Sequence, residues 1–399
     1  MTASDRANQS SVSRPLLWAL YLACSWTWCI GMFLPALLLR DLGIWSFLAF
    51  AIPNIVGAAA LGWVMSTPGA SRGLLHEHRA MVWWFSSLTV AFQVYFAAWV
   101  GSLMGSPWSV ILPGMLVLAA VLPGRRNAAW HAVSVLIWVS SAAGIVWLLA
   151  TRGMPVLAPR GELPPSELWP LAAVCGLGFL LCPYLDATFH RARIEADHRS
   201  PLAFGMGFGW FFAIMILGTV VASPLLLMIA RGQRIDPQSA LVPFLLLCTV
   251  GQLLYTVRVH AIEWPSGRLG LGRMVFGLPA LLVMLGVLAA SRPEIGLLTR
   301  SYSGLTLGEV GYRCFMSLYG LSFPAYVLCC MVPVTGADGL RVSRPTSGRV
   351  TFWLAGVVCA VPLYWLGFVE RQTWWVLPGI AIVLLAGLGA AASVRRSRA

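Results

Sequence analysis

Lysine is absent from this 399-residue chain, so its basic charge comes from arginine alone. Charged residues make up only 10% of the sequence, against about a quarter in an ordinary soluble domain. Hydrophobic residues make up 59%, and the mean hydropathy is +0.79. This composition excludes a soluble globular protein and indicates an integral membrane protein. The net charge of +13 does not indicate nucleic acid binding, because the arginines lie in short loops between apolar runs.

The sequence also lacks the motifs of several kinds of site. The nine cysteines show no CxxC spacing and lie mostly inside apolar runs, where they are predicted to be small buried side chains. There is no phosphate-binding Gly-rich loop and no nucleophile elbow. His76 and His78 are too close in sequence to converge on one metal ion as an i, i+4 pair does. We therefore predict no catalytic residues, no metal site and no organic cofactor.

Twelve apolar runs are predicted to cross the bilayer, which takes about 20 residues in a helix. The connecting loops are short, which leaves no room for a catalytic domain outside the membrane. The predicted spans are Leu16–Leu39, Ile44–Met65, Met81–Leu103, Trp108–Leu122, Ala128–Ala150, Trp169–His190, Leu202–Ala230, Leu241–Ile262, Met274–Ala290, Tyr312–Val332, Thr351–Val369 and Thr373–Ala392.

The arginines predict the orientation of these spans. With the N-terminus in the cytoplasm, eighteen arginines fall on the inner side and nine on the outer side. Short cytoplasmic loops are enriched in basic residues, so both termini are predicted to be cytoplasmic. We expect a bacterial-type inner membrane, with the lipid bilayer as the surroundings and no nucleic acid partner. The oligomeric state is not predicted.

Two of the runs are interrupted near their centres. The first interruption is Cys29–Pro35, and the second is Gly178–Pro183. Both follow the order Cys, Gly, apolar residues and Pro, and they lie five predicted spans apart. Lipid offers no water to freed backbone groups, so such interruptions line a cavity or are buried in protein. An odd number of spans between two repeats inverts the second, and inverted repeats place a transporter's binding site between two broken helices. The alternative is that Gly and Pro are simply common in membrane helices.

Two stretches resemble LeuT-type transporters, the fold shared by neurotransmitter:sodium, solute:sodium and amino acid–polyamine–organocation carriers. Residues 31–43, GMFLPALLLRDLG, followed by 50–54, FAIPN, resemble the first two helices of that fold. Residues 176–193, GLGFLLCPYLDATFHRAR, resemble its sixth helix. The resemblance implies an all-α protein of about twelve transmembrane helices, with a five-plus-five inverted repeat and two peripheral helices.

The resemblance also implies how the chain is divided. Residues 1–15 would form a cytoplasmic tail, 16–150 the first repeat, 169–332 the second, 351–392 the peripheral helices and 393–399 a basic tail. Sodium-coupled members carry hydroxyl side chains on the eighth helix, at places that fall near Leu245 and Leu246 here. The coupling ion, Na⁺ or H⁺, therefore stays open.

Asp186 is the strongest candidate among ionisable residues inside the predicted spans, because such residues are costly and rare in lipid. It follows Pro183 by three residues and precedes His190 by four, so a continuous helix would place Asp186 and His190 on one face. We predict that Asp186 accepts a proton or a cation, with His190 and Thr249 as further ion-coupling residues. The structural alternative is an ion pair of Asp186 with His190 or Arg193.

Polar side chains on other spans are candidates for hydrogen bonds to a solute. Gln93 and Tyr95 lie in the third span, and Thr249, Gln252 and Thr256 share a face of the eighth. The alternative is interhelical hydrogen bonding, worth less than about 2 kcal/mol per bond in a membrane. The predicted solute-binding residues are Cys29, Gly31, Pro35, Gln93, Tyr95, Gly178, Pro183, Tyr184, Asp186 and Gln252.

These patterns favour a secondary active transporter that moves a small polar or zwitterionic solute by alternating access. Two alternatives stay open. One is a membrane-embedded enzyme or assembly factor that uses Asp186 and His190 as an acid–base pair on a lipid-linked substrate. The other is a transport-inactive sensor or scaffold that keeps a transporter fold.

Overall fold

The computed structural model describes residues 3–105, 107–122, 129–236, 239, 241–264, 301–331, 333–336 and 339–396, and most of them are helical. The helices are α1 (Ala3–Trp26), α2 (Cys29–Leu42), α3 (Ile44–Val64), α4 (Pro68–Glu77), α5 (Arg79–Met104), α6 (Trp108–Val121), α7 (Ala129–Arg152), α8 (Leu168–Leu181), α9 (Ala187–Ala196), α10 (Ser200–Met206), α11 (Ala213–Val221), α12 (Ser223–Ala230), α13 (Leu241–Phe244), α14 (Gly251–Ile262), α15 (Leu307–Ser317), α16 (Phe323–Cys330), α17 (Ser347–Phe368) and α18 (Val376–Arg396). Two short antiparallel hairpins are formed by β1 (Ser301–Tyr302) with β2 (Leu305–Thr306) and by β3 (Pro333–Gly336) with β4 (Gly339–Val342).

The apolar helices confirm an all-helical, multi-pass membrane protein. Within the described ranges, nine helical runs are long and apolar enough to cross a membrane, and the bent pair α1–α2 makes ten. Helix α6 is apolar but has only 14 residues. The predicted ninth span, Met274–Ala290, lies outside the described residues. The count of twelve therefore stays a prediction.

Among the spans that the structure describes, three contain a π turn, in which one extra residue is inserted into the helix. The π turns are Gly207–Phe212 between α10 and α11, Leu245–Val250 between α13 and α14, and Leu318–Ser322 between α15 and α16. Such turns recur at functional sites because they redirect side chains. The third turn carries Tyr319, a buried residue at the centre of the bundle.

Helix α5 lies at the centre of the bundle, and the last two helices lie at its edge. The most apolar window of α5 is 89% buried, against 22% for α17 and 28% for α18. Helix α1 packs against α7, α9 and α10, and α5 packs against α6 and α14. Helices α17 and α18 pack against each other and against α16.

Helices α3 and α8 approach each other closely at Gly57. A Cβ atom at this position would lie 2.1 Å from the carbonyl oxygen of Phe179, so only glycine fits. Membrane helices have no hydrophobic driving force for association, and small residues at their contacts let the backbones pack. This contact holds α3 against the helix that leads into the second break.

Candidate functional site

The first break separates α1 from α2 at residues 27 and 28, with a bend of 58° between the helices. The Thr27 hydroxyl donates to the Ala23 carbonyl at 2.8 Å, and the Trp28 indole donates to the Ser25 carbonyl at 2.5 Å. The bond from Trp28 satisfies a carbonyl at the C-terminal end of α1 that the helix itself leaves free, whereas the Ala23 carbonyl also accepts from the Thr27 N–H at 3.1 Å. At the other side of the break, the Trp28 side chain does not cap α2, and the first N–H of the helix, that of Cys29, donates to Gln93 on α5.

The prediction of an interruption at Cys29–Pro35 is therefore wrong in position, because the break lies at residues 27 and 28. Helix α2 begins at Cys29 and runs through Gly31 and Pro35 without a break. The proline removes one N–H donor, which frees the carbonyl of Gly31 one turn earlier. The break itself arises from the polar side chains just before Cys29, which bond to backbone carbonyls and so compete with the helix.

The second break lies at Cys182–Leu185, where a 3₁₀ turn joins α8 to α9. It lies C-terminal to most of the predicted interruption, because α8 continues through Gly178 to Leu181. Pro183 has no backbone N–H to continue the hydrogen bonds of α8, and it therefore marks the position of the break better than the glycine does. Asp186 then caps α9 by accepting from the Thr188 N–H at 2.8 Å and the Thr188 hydroxyl at 2.7 Å.

The two breaks lie side by side. The Thr188 hydroxyl, just after the second break, lies 3.2 Å from the Ser25 hydroxyl at the end of α1. The ring of Trp26 packs 4.9 Å from that of Phe189, centroid to centroid. The backbone irregularities of the two halves of the chain therefore form one region in the protein interior.

A cavity opens beside this region, with about 70 Å³ of room for water-sized molecules. This volume would hold several waters or part of a small solute. Its walls are mostly apolar and come from α2, α3, α8 and the π turn of α15–α16. The lining includes Trp26, Trp28, Ile30, Gly31, Leu34, Asp41, Asn54, Val174, Cys175, Gly178, Cys182, Arg313, Tyr319 and Arg371.

A cluster of five charged residues lies at one end of the cavity, and we call it the charge cluster; Asp41 and Glu309 are buried, and Arg40, Arg313 and Arg371 are half-buried. Asp41 accepts from Arg313 at 2.5 Å and from Arg371 at 3.0 Å. Glu309 accepts from Arg40 at 2.6 and 2.8 Å, and from Arg313 at 2.7 and 2.9 Å. The cluster joins α2 to α15 and to the loop before α18, and it therefore closes this end of the cavity.

Bonds outside the membrane spans hold the loops around the charge cluster. The Glu370 carboxylate accepts from the Ser303 hydroxyl at 2.5 Å and from the Tyr302 hydroxyl at 2.7 Å. The bonds from Ser303 and Tyr302 lower the pKa of Glu370, and the bond to the carboxylate raises the pKa of Tyr302. The first hairpin is thereby fastened to the loop that carries Arg371.

Among the described residues, four buried polar side chains that the contacts below place at or beside the breaks have atoms without a hydrogen-bond partner. These atoms are Oδ2 of Asp186, both ring nitrogens of His260, Nε2 of Gln93 and Oε1 of Gln252. Gln93 accepts from the Cys29 N–H at 3.2 Å, and the His260 ring packs against Trp28 at 5.4 Å. Buried polar atoms are nearly always paired, so these atoms indicate a place where a ligand, a water or a proton binds.

The structure brings several predicted site residues to this region. Gly31 and Gly178 line the cavity. Cys29 is buried, and its carbonyl accepts from Tyr312 at 2.9 Å. Gln93 and Asp186 carry unpaired atoms beside the breaks.

Other predicted residues lie outside the cavity lining. Pro35 is buried within α2, and Tyr95 donates to the Gly308 carbonyl at 2.7 Å. Pro183 and Tyr184 lie in the second break. Thr249 lines a separate small pocket between the first break, α2, α7, α11 and the π turn of α13–α14.

Gln252 lines the same separate pocket and is bonded to the end of α1. Its amide donates to the carbonyl of Cys24, and it also donates to the Thr256 hydroxyl at 3.1 Å. The Thr256 hydroxyl contacts the same Cys24 carbonyl at 3.4 Å. Gln252 therefore fills one freed acceptor of the first break.

The structural alternative for Asp186, an ion pair with His190 or Arg193, does not form. His190 bonds to the Tyr184 carbonyl at 2.9 Å and to the Ser71 hydroxyl at 3.1 Å, so both of its ring nitrogens are used elsewhere. Arg193 bonds to backbone carbonyls, not to Asp186. The reason is that the helix restarts at residue 187, so the spacing of four residues does not describe a continuous helix face.

Sequence reasoning missed His260 and the charge cluster. His260 lies in α14, 74 residues after Asp186, and its Nε2 is 3.9 Å from Asp186 Oδ2. An ionisable residue within an apolar run was the available signal for His260. The charge cluster joins residues up to 330 positions apart, which no local pattern brings together.

Comparison with known proteins leaves the family open. No protein-family model matches the chain, and no curated protein matches it. Function must therefore be argued from the site itself.

Proposed function

We propose that this protein is a secondary active transporter that moves a small polar or zwitterionic solute by alternating access, coupled to an ion or to protons. The observation that carries the proposal is that two broken membrane helices lie side by side and line one cavity. Broken helices tolerated at mid-membrane are typical of transporter binding sites. The proposal includes a LeuT-like arrangement of about twelve helices with an inverted repeat.

The chemistry of the cavity supports a solute with a polar or anionic end. The N-terminus of α2 faces the cavity, because Ile30 and Gly31 of its first turn line it, while the Cys29 N–H of the same turn donates to Gln93. A helix N-terminus carries partial positive charge and favours a carboxylate. The indoles of Trp26 and Trp28 offer flat apolar walls for the rest of the solute.

The closure of the cavity supports alternating access. At one end, the charge cluster holds α2, α15 and the Arg371 loop together through ion pairs that can separate and re-form. At the break, the rings of Trp28 and Tyr319 pack 5.4 Å apart beside the cavity. We take this arrangement as an occluded conformation, in which the charge cluster is the gate on the outer side.

The proposed orientation follows from arginine counts in the loops. It places both termini in the cytoplasm, the charge cluster at the outer face, and the protein in a bacterial-type inner membrane.

The test is uptake by the purified protein reconstituted into lipid vesicles. A thermal-shift screen of small solutes, with and without Na⁺ and at two pH values, would first identify a ligand. Uptake of that ligand should then require an ion gradient and should be lost in Gly178→Leu, because Gly178 lines the cavity and a Cβ there lies 3.0 Å from the Tyr319 carbonyl.

The matched control is Gly176→Leu. It changes the same residue type two positions away on α8, at a site with no atoms within 4 Å of a Cβ. Uptake should persist in this control. Uptake that survives Gly178→Leu, or that is lost equally in both variants, would contradict a solute path through this cavity. Turnover of a lipid-linked substrate that needs no ion gradient would favour the enzyme alternative instead.

A further inference from the structure

Where the second break meets α14, two buried polar atoms face each other without forming a hydrogen bond. Asp186 Oδ2 and His260 Nε2 are 3.9 Å apart, both side chains are fully buried, and neither atom has a hydrogen-bond partner. The distance is too long for a hydrogen bond, which needs about 2.7–2.9 Å between charged partners. A displacement of roughly 1 Å would close it. The two residues come from elements that are distant in the chain.

The surroundings of the pair hold negative and neutral groups. Within electrostatic reach of Asp186 lie Tyr21 on α1, Cys182 and Tyr319 beside the cavity, and Glu263 just after α14. In the described part of the chain, no arginine forms a salt bridge with Asp186. The nearby Arg191 bonds to Glu263 at 3.2 Å instead.

Beside the His260 ring lie the Ser25 carbonyl and the indole of Trp28. That carbonyl already accepts from the Trp28 indole at 2.5 Å. A buried carboxylate without a compensating positive charge is costly, and taking up a proton removes that cost.

We propose that Asp186 and His260 together bind one proton, and that this proton is the coupling ion of the transporter. The proton enters from water and is held between carboxylate and imidazole, as one hydrogen bond that closes the 3.9 Å gap. Its binding joins the second break to α14, and its release separates them. The claim that this proton is the coupling ion rests on the proposed function. Proton binding by the pair can be tested without it.

The first break supports a proton over a metal cation. The freed carbonyl of Cys24, at the end of α1, is an oxygen ligand that a sodium ion could use. The Gln252 amide donates to it, and the Thr256 hydroxyl also contacts it. Protein donors therefore occupy this acceptor. The Oε1 atom of Gln252 has no partner but is a single neutral oxygen, whereas Asp186 Oδ2 and His260 Nε2 lie close enough to each other to share a proton.

The experiment follows protonation in the full-length protein in lipid nanodiscs. Isotope-labelled aspartate allows infrared difference spectroscopy to detect a protonated carboxyl, and isotope-labelled histidine allows solid-state NMR to read the imidazole, between roughly pH 4 and pH 9. We expect one member of the pair to change its protonation. Asp186→Asn or His260→Gln should then move the titration midpoint of the remaining partner by about one pH unit or more.

Two further variants keep the test decisive. His190→Gln is the matched control, because both of its ring nitrogens are already bonded, and it should leave the titration of Asp186 in place. Should Asp186→Asn fail to fold, Asp186→Glu moves the titrating signal from labelled aspartate to labelled glutamate.

Three outcomes would overturn the inference. They are independent titration of the two residues, no protonation change in either, and a spectral change caused by Na⁺ at constant pH. Failure to find a transported solute would contradict the proposed function but leave the titration result standing. Sodium-driven uptake without proton binding by the pair would overturn only this inference.

Discussion

Replacing Glu309 by glutamine tests the charge cluster most directly. The side chain of Glu309 is only 1% exposed, and its carboxylate accepts four N–H bonds, two from Arg40 and two from Arg313. Glutamine keeps the shape but offers one oxygen and turns an NH₂ group towards a guanidinium. At least one charge-assisted bond is lost, at about 1.5–3 kcal/mol, and the others weaken.

The change also removes one of the two buried carboxylates that balance the arginines, so that Arg40 and Arg313 are left to share Asp41. Breaking a buried ion pair by removing one partner costs about 3–5 kcal/mol, because the remaining charge stays desolvated. We therefore expect Glu309→Gln to lower the free energy of unfolding by about this amount. The measurement is reversible unfolding in mixed detergent micelles, with increasing fractions of a denaturing detergent.

The control is Glu162→Gln. Glu162 bonds to Arg371 at 2.7 Å, but its side chain is 50% exposed, and exposed ion pairs contribute about 0–1 kcal/mol. Adding Arg40→Gln to Glu309→Gln should recover part of the loss, since it removes one of the positive charges that Glu309 had balanced. Equal effects of Glu309→Gln and Glu162→Gln, or no recovery in the double variant, would refute the argument.

The same variant has a functional readout at Cys182, which lines the cavity and is buried. If the charge cluster is the outer gate, Glu309→Gln should raise the rate at which Cys182 reacts with a water-soluble thiol reagent. A weakening of the closed state by about 1.4 kcal/mol corresponds to a tenfold increase. Peptide mapping measures the labelling, and an unchanged rate would argue against a gate at this end.

Three further changes have expected outcomes. Gly57→Ala should destabilise the fold by about 1–3 kcal/mol because of the close backbone contact, whereas Gly176→Ala, in open space, should be neutral or slightly stabilising; thermal unfolding separates them. Tyr312→Phe removes the donor to the Cys29 carbonyl in the first break and should cost about 1–3 kcal/mol by the same measurement. Burial lowers the pKa of His78 from 6.5 to about 4, so the unfolded chain binds more protons between these values. Stability should therefore fall as the pH drops through this window, and less so in His78→Gln.

The class of protein could be predicted from composition and run length alone. A residue in lipid must satisfy its backbone within its own helix, so apolar runs of sufficient length can form only membrane helices. The existence of two interruptions was also visible, because Pro183 and the glycines near it mark weak helix. These are local properties, and local sequence is enough to predict them.

The positions and partners at the site were decided by tertiary structure. The first break depends on the side chains of Thr27 and Trp28, which bond to carbonyls of α1. Such side-chain bonds compete with the helix, and a pattern of glycine and proline does not predict them. The helix that restarts after Asp186 turns His190 away, so the neighbour in sequence is not the neighbour in space.

His260 and the charge cluster show the same limit at longer range. The 3.9 Å approach of His260 to Asp186, and the bond from Arg371 to Asp41 across 330 residues, arise from how the helices pack. An unpaired charge is costly once it is buried, wherever it lies in the chain. The packing of the helices therefore determines which charged residues form pairs. The sequence determined that this protein lies in the membrane with two weakened helices, and the packing of those helices decided what faces the cavity between them.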